Sequence, residues 1–346
     1  MQKVSLVLVV GIALAASFVL AGEAPSPTGP YKVLQTKRVG GDGGFDYVYA
    51  DVDGRRLYVP RTGSTPRITV FNLDTLEPVG EIPNASAHGA AVDPKSQHGF
   101  ASSKPVVMWD SKTLATIKTI DVQGAPDGIL FDAFNERVYV FSHIAPNATV
   151  IDAKDGSIVG TIDMDGTPEQ AVSDGKGHLY VDLEDKKSIA VVDVNTLKVT
   201  ARFEIGAKGG GPGGLAIDVK NHILFAACQD PDTMVILNSD DGKIITIFPI
   251  GNHVDGAVFD PATMETFSSQ RDGTMTVIKE NSPTSFEVEQ TVQTMPSAKT
   301  LTLDRKTNHI FLIAAEFTPP VAPPAGGPPG RPQMVPDSFS ILDVGK

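Results

Sequence analysis

Two imidazoles and two carboxylates, His88, Asp127, His143 and Glu169, are the candidate metal ligands of this chain. Imidazole nitrogen combined with carboxylate oxygen suits a divalent ion such as Zn, Mn or Ni; acids alone would suit Ca²⁺. The same side chains suit acid–base chemistry. His88 is a candidate general base, since an imidazole titrates near neutral pH, and Asp127 or Glu169 would orient it. Arg61 or Arg271 would then stabilise a developing oxyanion. No local spacing rule joins these residues, so only a fold that gathers distant segments can make them a site.

That fold is announced by an internal repeat. One unit reads apolar-x-apolar-Asp, a short polar turn, then an apolar triplet, as in "YADVDGRRLYV", "LFDAFNERVYV" and "TLDRKTNHIFL". The landmark falls at Asp51, Asp93, Asp132, Ser173, Asp218, Asp260 and Asp304, a period of about forty residues. Each period holds four strand-like runs; in the fourth copy they are Gln170–Val172, His178–Asp182, Ser188–Asp193 and Lys198–Phe203. With 33 Gly, 26 Pro and no helical apolar period after the N-terminal segment, the chain is all-β. The expected architecture is a seven-bladed β-propeller of four-stranded antiparallel blades.

The last copy supplies only three strands, the third being the alternating, half-buried pattern "FSILDV". A strand-like run, Tyr31–Val39, lies before the first copy and belongs to no unit. Pairing the two completes the seventh blade and closes the ring, leaving no free edge between first and last blades. A monomer is the expected state.

In such a meander the approach to each innermost strand and the loop after each second strand share one face. The approach positions read Asp46, His88, Asp127, Glu169, Gly213, Asp255 and Lys299. The loop positions read Arg61, Lys104, His143, Glu184, Gln229, Arg271 and Glu316. The binding candidates at this channel mouth are Asp46, Arg61, His88, Lys104, Asp127, His143, Glu169, Asp255, Arg271 and Lys299. His98, His178, His222 and His309 recur in the turns of the opposite face, where repeat descent explains them.

Composition excludes several classes. A net charge of −12 and a pI near 5.0 argue against a broad nucleic-acid surface. The single cysteine, Cys228, allows no intrachain disulfide and no c-type haem attachment; it reads as a buried apolar side chain. The single tryptophan, Trp109, lacks the repeats that dock pyrroloquinoline quinone. "GAKGGGPGGLA" (Gly206–Ala216) precedes no helix and reads as an enlarged inter-blade loop rather than a phosphate cradle. The proline-rich run 317–337, on the mouth face, interrupts the last blade and reads as an insertion, a lid or a docking segment. Residues 1–24, with Lys3 ahead of the apolar run Val4–Leu20, read as a cleaved signal peptide. The mature protein is then expected to be periplasmic or secreted, with no stable membrane span.

The "LYV" and "AVVDVNTLKV" stretches resemble the YVTN-type repeat of bacterial propellers, and the exported YncE-like proteins among them, over residues 31–346. The resemblance implies the fold and leaves activity open, since this architecture hosts binding proteins, lactonases and lyases alike. Some YncE-like relatives bind nucleic acid, which the acidic balance here opposes. The expected function is a non-catalytic scaffold that binds a small molecule or an envelope protein at the mouth. The alternative is a lactonase-like hydrolase or lyase with a His/carboxylate site, metal-assisted or not.

Overall fold

The computed structural model describes residues 28–319 and 332–346. The expected signal segment 1–24 and residues 320–331 of the proline-rich insertion lie outside the described residues. Among the described residues, 28 strands form seven separate four-stranded antiparallel sheets. Six blades run through the chain in order. The fourth, for example, comprises Pro168–Ser173, His178–Leu183, Ser188–Asp193 and Lys198–Glu204.

The seventh blade is made from both ends of the described chain. Leu301–Asp304, His309–Ala314 and Ser340–Gly345 form its inner three strands, and Lys32–Arg38 is its outermost. The closing pair runs from Lys32 opposite Gly345 to Arg38 opposite Ser340. Tyr31 locks this clasp to blade six. Its backbone N–H donates to Gln290 Oε1 at 3.0 Å, its carbonyl accepts from Gln290 Nε2 at 2.8 Å, and its hydroxyl donates to the buried Glu265 carboxylate. Lys346 meets the other oxygen of Glu265 at 3.0 Å.

The repeated landmark is a turn device. Asp93 accepts from the N–H of Lys95 at 2.9 Å, Asp304 from Lys306 at 3.1 Å, and Ser173 from Gly175 at 2.9 Å. Four residues after each landmark the backbone is left-handed, at Arg55, Gln97, Glu136, Gly177, His222, Met264 and Asn308. A side-chain oxygen that satisfies the turn, followed by a left-handed residue, closes a short hairpin loop.

Neighbouring blades pack face to face. Tyr139, Phe141 and Val150 of blade three meet Leu179, Val181 and Val192 of blade four, and Phe267 and Val277 of blade six meet Leu312 and Leu342 of blade seven. A middle strand is therefore covered on both sides. Ser340–Gly345 is buried at five of its six residues, which corrects the half-buried reading of its alternating pattern. Gly206–Ala216 is also corrected. It is one 3-10 turn, Gly206–Lys208, followed by the innermost strand of blade five, Gly210–Asp218. Cys228 is free and buried.

Candidate polar site at the channel mouth

The approach positions converge. Asp46, His88 and Lys299 lie two or three residues ahead of the innermost strands that begin at Tyr49, Ala90 and Leu301, while Asp127, Glu169 and Asp255 are second residues of theirs. Close approach of the innermost strands helps to gather them. A side chain at Gly128, next to Asp127, would come within 2.3 Å of the Glu169 carbonyl oxygen.

The result is a continuous ionic arc through six blades. Arg271 contacts Asp255 at 3.2 Å, and the Lys299 ammonium bridges Asp255 and Asp46, reaching the latter at 2.7 Å. Asp46 Oδ2 lies 2.7 Å from His88 Nδ1, and Asp127 Oδ1 lies 3.1 Å from the same nitrogen. Asp127 Oδ2 lies 2.7 Å from His143 Nε2, which is 3.6 Å from Glu169 Oε1. Tyr47 of blade one then crosses the channel, its hydroxyl donating to Glu169 Oε2 at 2.7 Å. Blade five breaks the arc. Its approach residue is Gly213, beside which Gln229 donates to the Val254 carbonyl at 2.9 Å.

The charges are mutually held. Asp127 and then Glu169 accept hydrogen bonds from His143 and raise its pKa to about 10. The Asp46 hydrogen bond likewise raises His88. Burial works against the charged form of Asp46, but His88 and Lys299 outweigh it and hold the carboxyl below its usual range. Burial also works against the Lys299 ammonium, and Asp255 with Asp46 outweighs it, so that its pKa is raised. Burial and the nearby Glu169 charge keep Tyr47 neutral and able to donate.

A pH profile follows for the metal-free chain. An unfolded imidazole titrates at about 6.5, whereas folded His143 loses its proton near 10. Its contribution to stability is therefore complete below the unfolded value and fades as pH rises through the folded one. Urea melts should show His143→Gln less stable than the wild type at pH 6, with the gap narrowing toward pH 10. A gap that does not change with pH would contradict this.

Two of the expected mouth residues stand apart. Arg61 is corrected outright: it is 1% exposed and donates to the carbonyls of Gly40 and Asp42, with its guanidinium 3.6 Å from the Phe339 ring centroid. The segment that links the closing strand to blade one covers it, so it can neither bind a ligand nor stabilise an oxyanion. Lys104 is exposed, and its ammonium is tied to the Gly124 carbonyl at 2.7 Å. Of the proposed ligand set, Asp127, His143 and Glu169 bring donor atoms within 4.8 Å of one another, while His88 groups with Asp46 and Asp127.

Sequence reasoning missed Tyr47 and Gln170. Gln170 spans the channel, accepting from the N–H groups of Leu215 and Ala257 and donating to the Ala257 carbonyl. The signal was present. The residue after the approach position is glycine in four of the seven copies, Gly89, Gly128, Gly214 and Gly256, and Tyr47 and Gln170 are the large exceptions.

Beside the arc lies a cavity of about 570 Å³, walled by Gly43, Phe45, Phe317 and Met334, with Arg271 and Lys299 at its edge. Phe317 and Met334 pair across the base of the proline-rich insertion. A hollow at the opposite end of the channel is larger, about 660 Å³, and a groove between blades four and five holds the His178–Asp174 and His222–Asp240 pairs. The mouth cavity brings apolar walls together with both Arg271 and Lys299 of the arc, and an adjoining hollow of about 780 Å³ shares its Arg271, Ser297 and Phe317.

No protein-family model matches the sequence, and no curated protein matches it. Solved structures do. The protein of "Structure of U3-55K" superposes with a TM-score of 0.69 at 11% identity, covering 90% of this chain and 98% of that one. The RRP9 WD40 repeats give 0.69 and 11%, covering 93% and 99%. The class of protein is thus a seven-bladed β-propeller with the architecture of WD40 repeats. Identity this low speaks to fold alone.

Proposed function

We propose that this chain is a ligand-binding propeller that takes a small organic anion with an apolar body at its mouth cavity. The observation that carries this reading is the joining of Phe45, Phe317 and Met334 with the cations Arg271 and Lys299 around one cavity of about 570 Å³. Apolar walls with a few converging polar groups are the usual build of a small-molecule site. The Arg271 side chain is 53% exposed and meets Asp255 through one nitrogen, so its remaining donors can face a carboxylate. The signal-like segment 1–24 and the YncE-like repeat wording support an exported protein working in the periplasm or outside the cell.

A hydrolase reading draws on His88, whose Nδ1 is anchored by Asp46 as a positioned base would be. Two observations weigh against it. The Asp46 hydrogen bond favours the protonated imidazole of His88 over the free base, and Arg61 is buried. Binding without turnover is therefore the expected behaviour.

The test is a thermal-shift panel of aryl and alkyl carboxylates on the full chain, with parallel assays for ester and lactone cleavage. At a hundredfold excess over Kd a ligand should stabilise the fold by about 2.7 kcal/mol. Arg271→Met should weaken binding roughly tenfold, as loss of a hydrogen bond to a charged group does. Silence across the panel, or the same affinity in Arg271→Met, would reject the reading.

A further inference from the structure

The arc between blades one and four has a pattern that its ion pairs leave unexplained. Asp127 is 7% exposed, and its Oδ1 is buried without a hydrogen-bond partner. His88 Nδ1 is 3.1 Å away, but that nitrogen carries at most one hydrogen, and Asp46 lies closer at 2.7 Å. A buried carboxylate oxygen with no proton to accept calls for another positive partner.

The two ends of the arc mirror each other about Asp127. On one side its Oδ1 faces His88 Nδ1 and Asp46 Oδ2; on the other its Oδ2 faces His143 Nε2 and Glu169 Oε1. Each group of three donors lies within 4.8 Å. Each outer carboxylate has its remaining oxygen occupied from behind, Asp46 Oδ1 by Lys299 and Glu169 Oε2 by Tyr47. Such outer hydrogen bonds orient metal-ligating carboxylates.

We propose that the mouth binds two divalent transition-metal ions bridged by the Asp127 carboxylate. One is held by Asp46, His88 and Asp127, the other by Asp127, His143 and Glu169. The chemistry fits, because one imidazole and two carboxylates at each position suit borderline ions such as Zn²⁺, Co²⁺ or Mn²⁺. The dimensions fit as well. Ligand bonds of about 2.0–2.2 Å place the donors around one ion roughly 3–3.5 Å apart, against observed pairs of 2.7, 3.1 and 3.6 Å. A bridging carboxylate accounts for the orphaned oxygen and for why three acids and two imidazoles from four blades meet here. Binding releases the imidazole protons. This inference goes beyond the anion-binding reading, and its site is separate from Arg271 and Phe317.

The full chain, stripped by chelator dialysis, is titrated with Co²⁺, and the bound ions are counted by native mass spectrometry and by visible absorption. Two equivalents are expected, displaced by Zn²⁺. Asp127→Asn should bind none, and His88→Gln and His143→Gln should each bind one. Tyr47→Phe should keep two, one of them weakened about tenfold or more. Arg271→Met should also keep two, so failure of the anion reading and failure of this one are distinguishable. One equivalent or none in the wild type overturns the proposal, as do two equivalents retained in Asp127→Asn. Should Asp127→Asn fail to fold, the histidine variants decide: one ion in each supports the bridged pair, and two ions in either rejects it.

Discussion

Deletion of Tyr31–Val39 is expected to abolish the cooperative melt of the full chain, or to lower stability by more than about 5 kcal/mol in urea titration. The segment supplies the outer strand of the last blade, paired at six positions with Ser340–Gly345, and Val39 continues the contact at 2.8 Å to Phe339. Each lost hydrogen bond contributes about 0.5–1.5 kcal/mol. Burial of Tyr31, 3% exposed, adds about 1.5–3 kcal/mol by analogy with other large apolar side chains. Glu265 loses the hydroxyl that reaches its buried carboxylate. Together these approach the whole stability of an ordinary domain, about 5–15 kcal/mol. The deletion also exposes a bare strand edge, so aggregation should accompany unfolding. A truncated chain that melts like the full one would show that the ring does not depend on its clasp.

Lys299→Met should be the most damaging single substitution at the mouth, costing about 3–5 kcal/mol as loss of one partner from a buried ion pair does. Lys299, Asp46 and Asp255 have side chains only 15%, 19% and 12% exposed, so water replaces the ammonium poorly. The effect should depend on pH with a definite sign. Native Asp46 is held below its ordinary pKa, so its contribution is present above the unfolded value of about 3.9 and is lost as pH falls through the folded value. Without Lys299, Asp46 and Asp255 lose the cation they share. The gap between variant and wild type should therefore be largest near neutral pH and shrink below about pH 4, where carboxylates protonate. Urea melts at both pH values measure it. A gap under about 1 kcal/mol at pH 7, typical of an exposed pair, would mean that the arc is ordinary surface charge.

Much of the ring was legible because its signals are local. The landmark (Asp in six copies, Ser173 in the fourth), the short polar turn and the apolar triplet after it lie within one hairpin and recur seven times. The strand run left over at one end and the missing strand at the other predicted the clasp. The glycines at 206–216 misled because a Gly-rich segment reads as a loop by composition. Here glycine lets innermost strands approach one another: a side chain at Gly214 would meet the Gly256 carbonyl carbon at 2.7 Å. The alternation in "FSILDV" misled because a blade between two neighbours buries both of its faces.

The sequence by itself determined the number of blades and the strand that closes the ring, and it offered a set of candidate polar residues for one face. These follow from turn chemistry and period, which act over a few residues. Only the tertiary structure decided which of those residues touch. Arg61 and Arg271 hold equivalent positions in the repeat, yet one lies under the Gly40–Asp42 crossing and the other faces the cavity. The reach of Tyr47 from blade one to Glu169 in blade four, and the meeting of both oxygens of Asp127 with different imidazoles, depend on distances across the ring. Contacts of that kind join residues tens of positions apart, and ring geometry, not local pattern, sets their lengths.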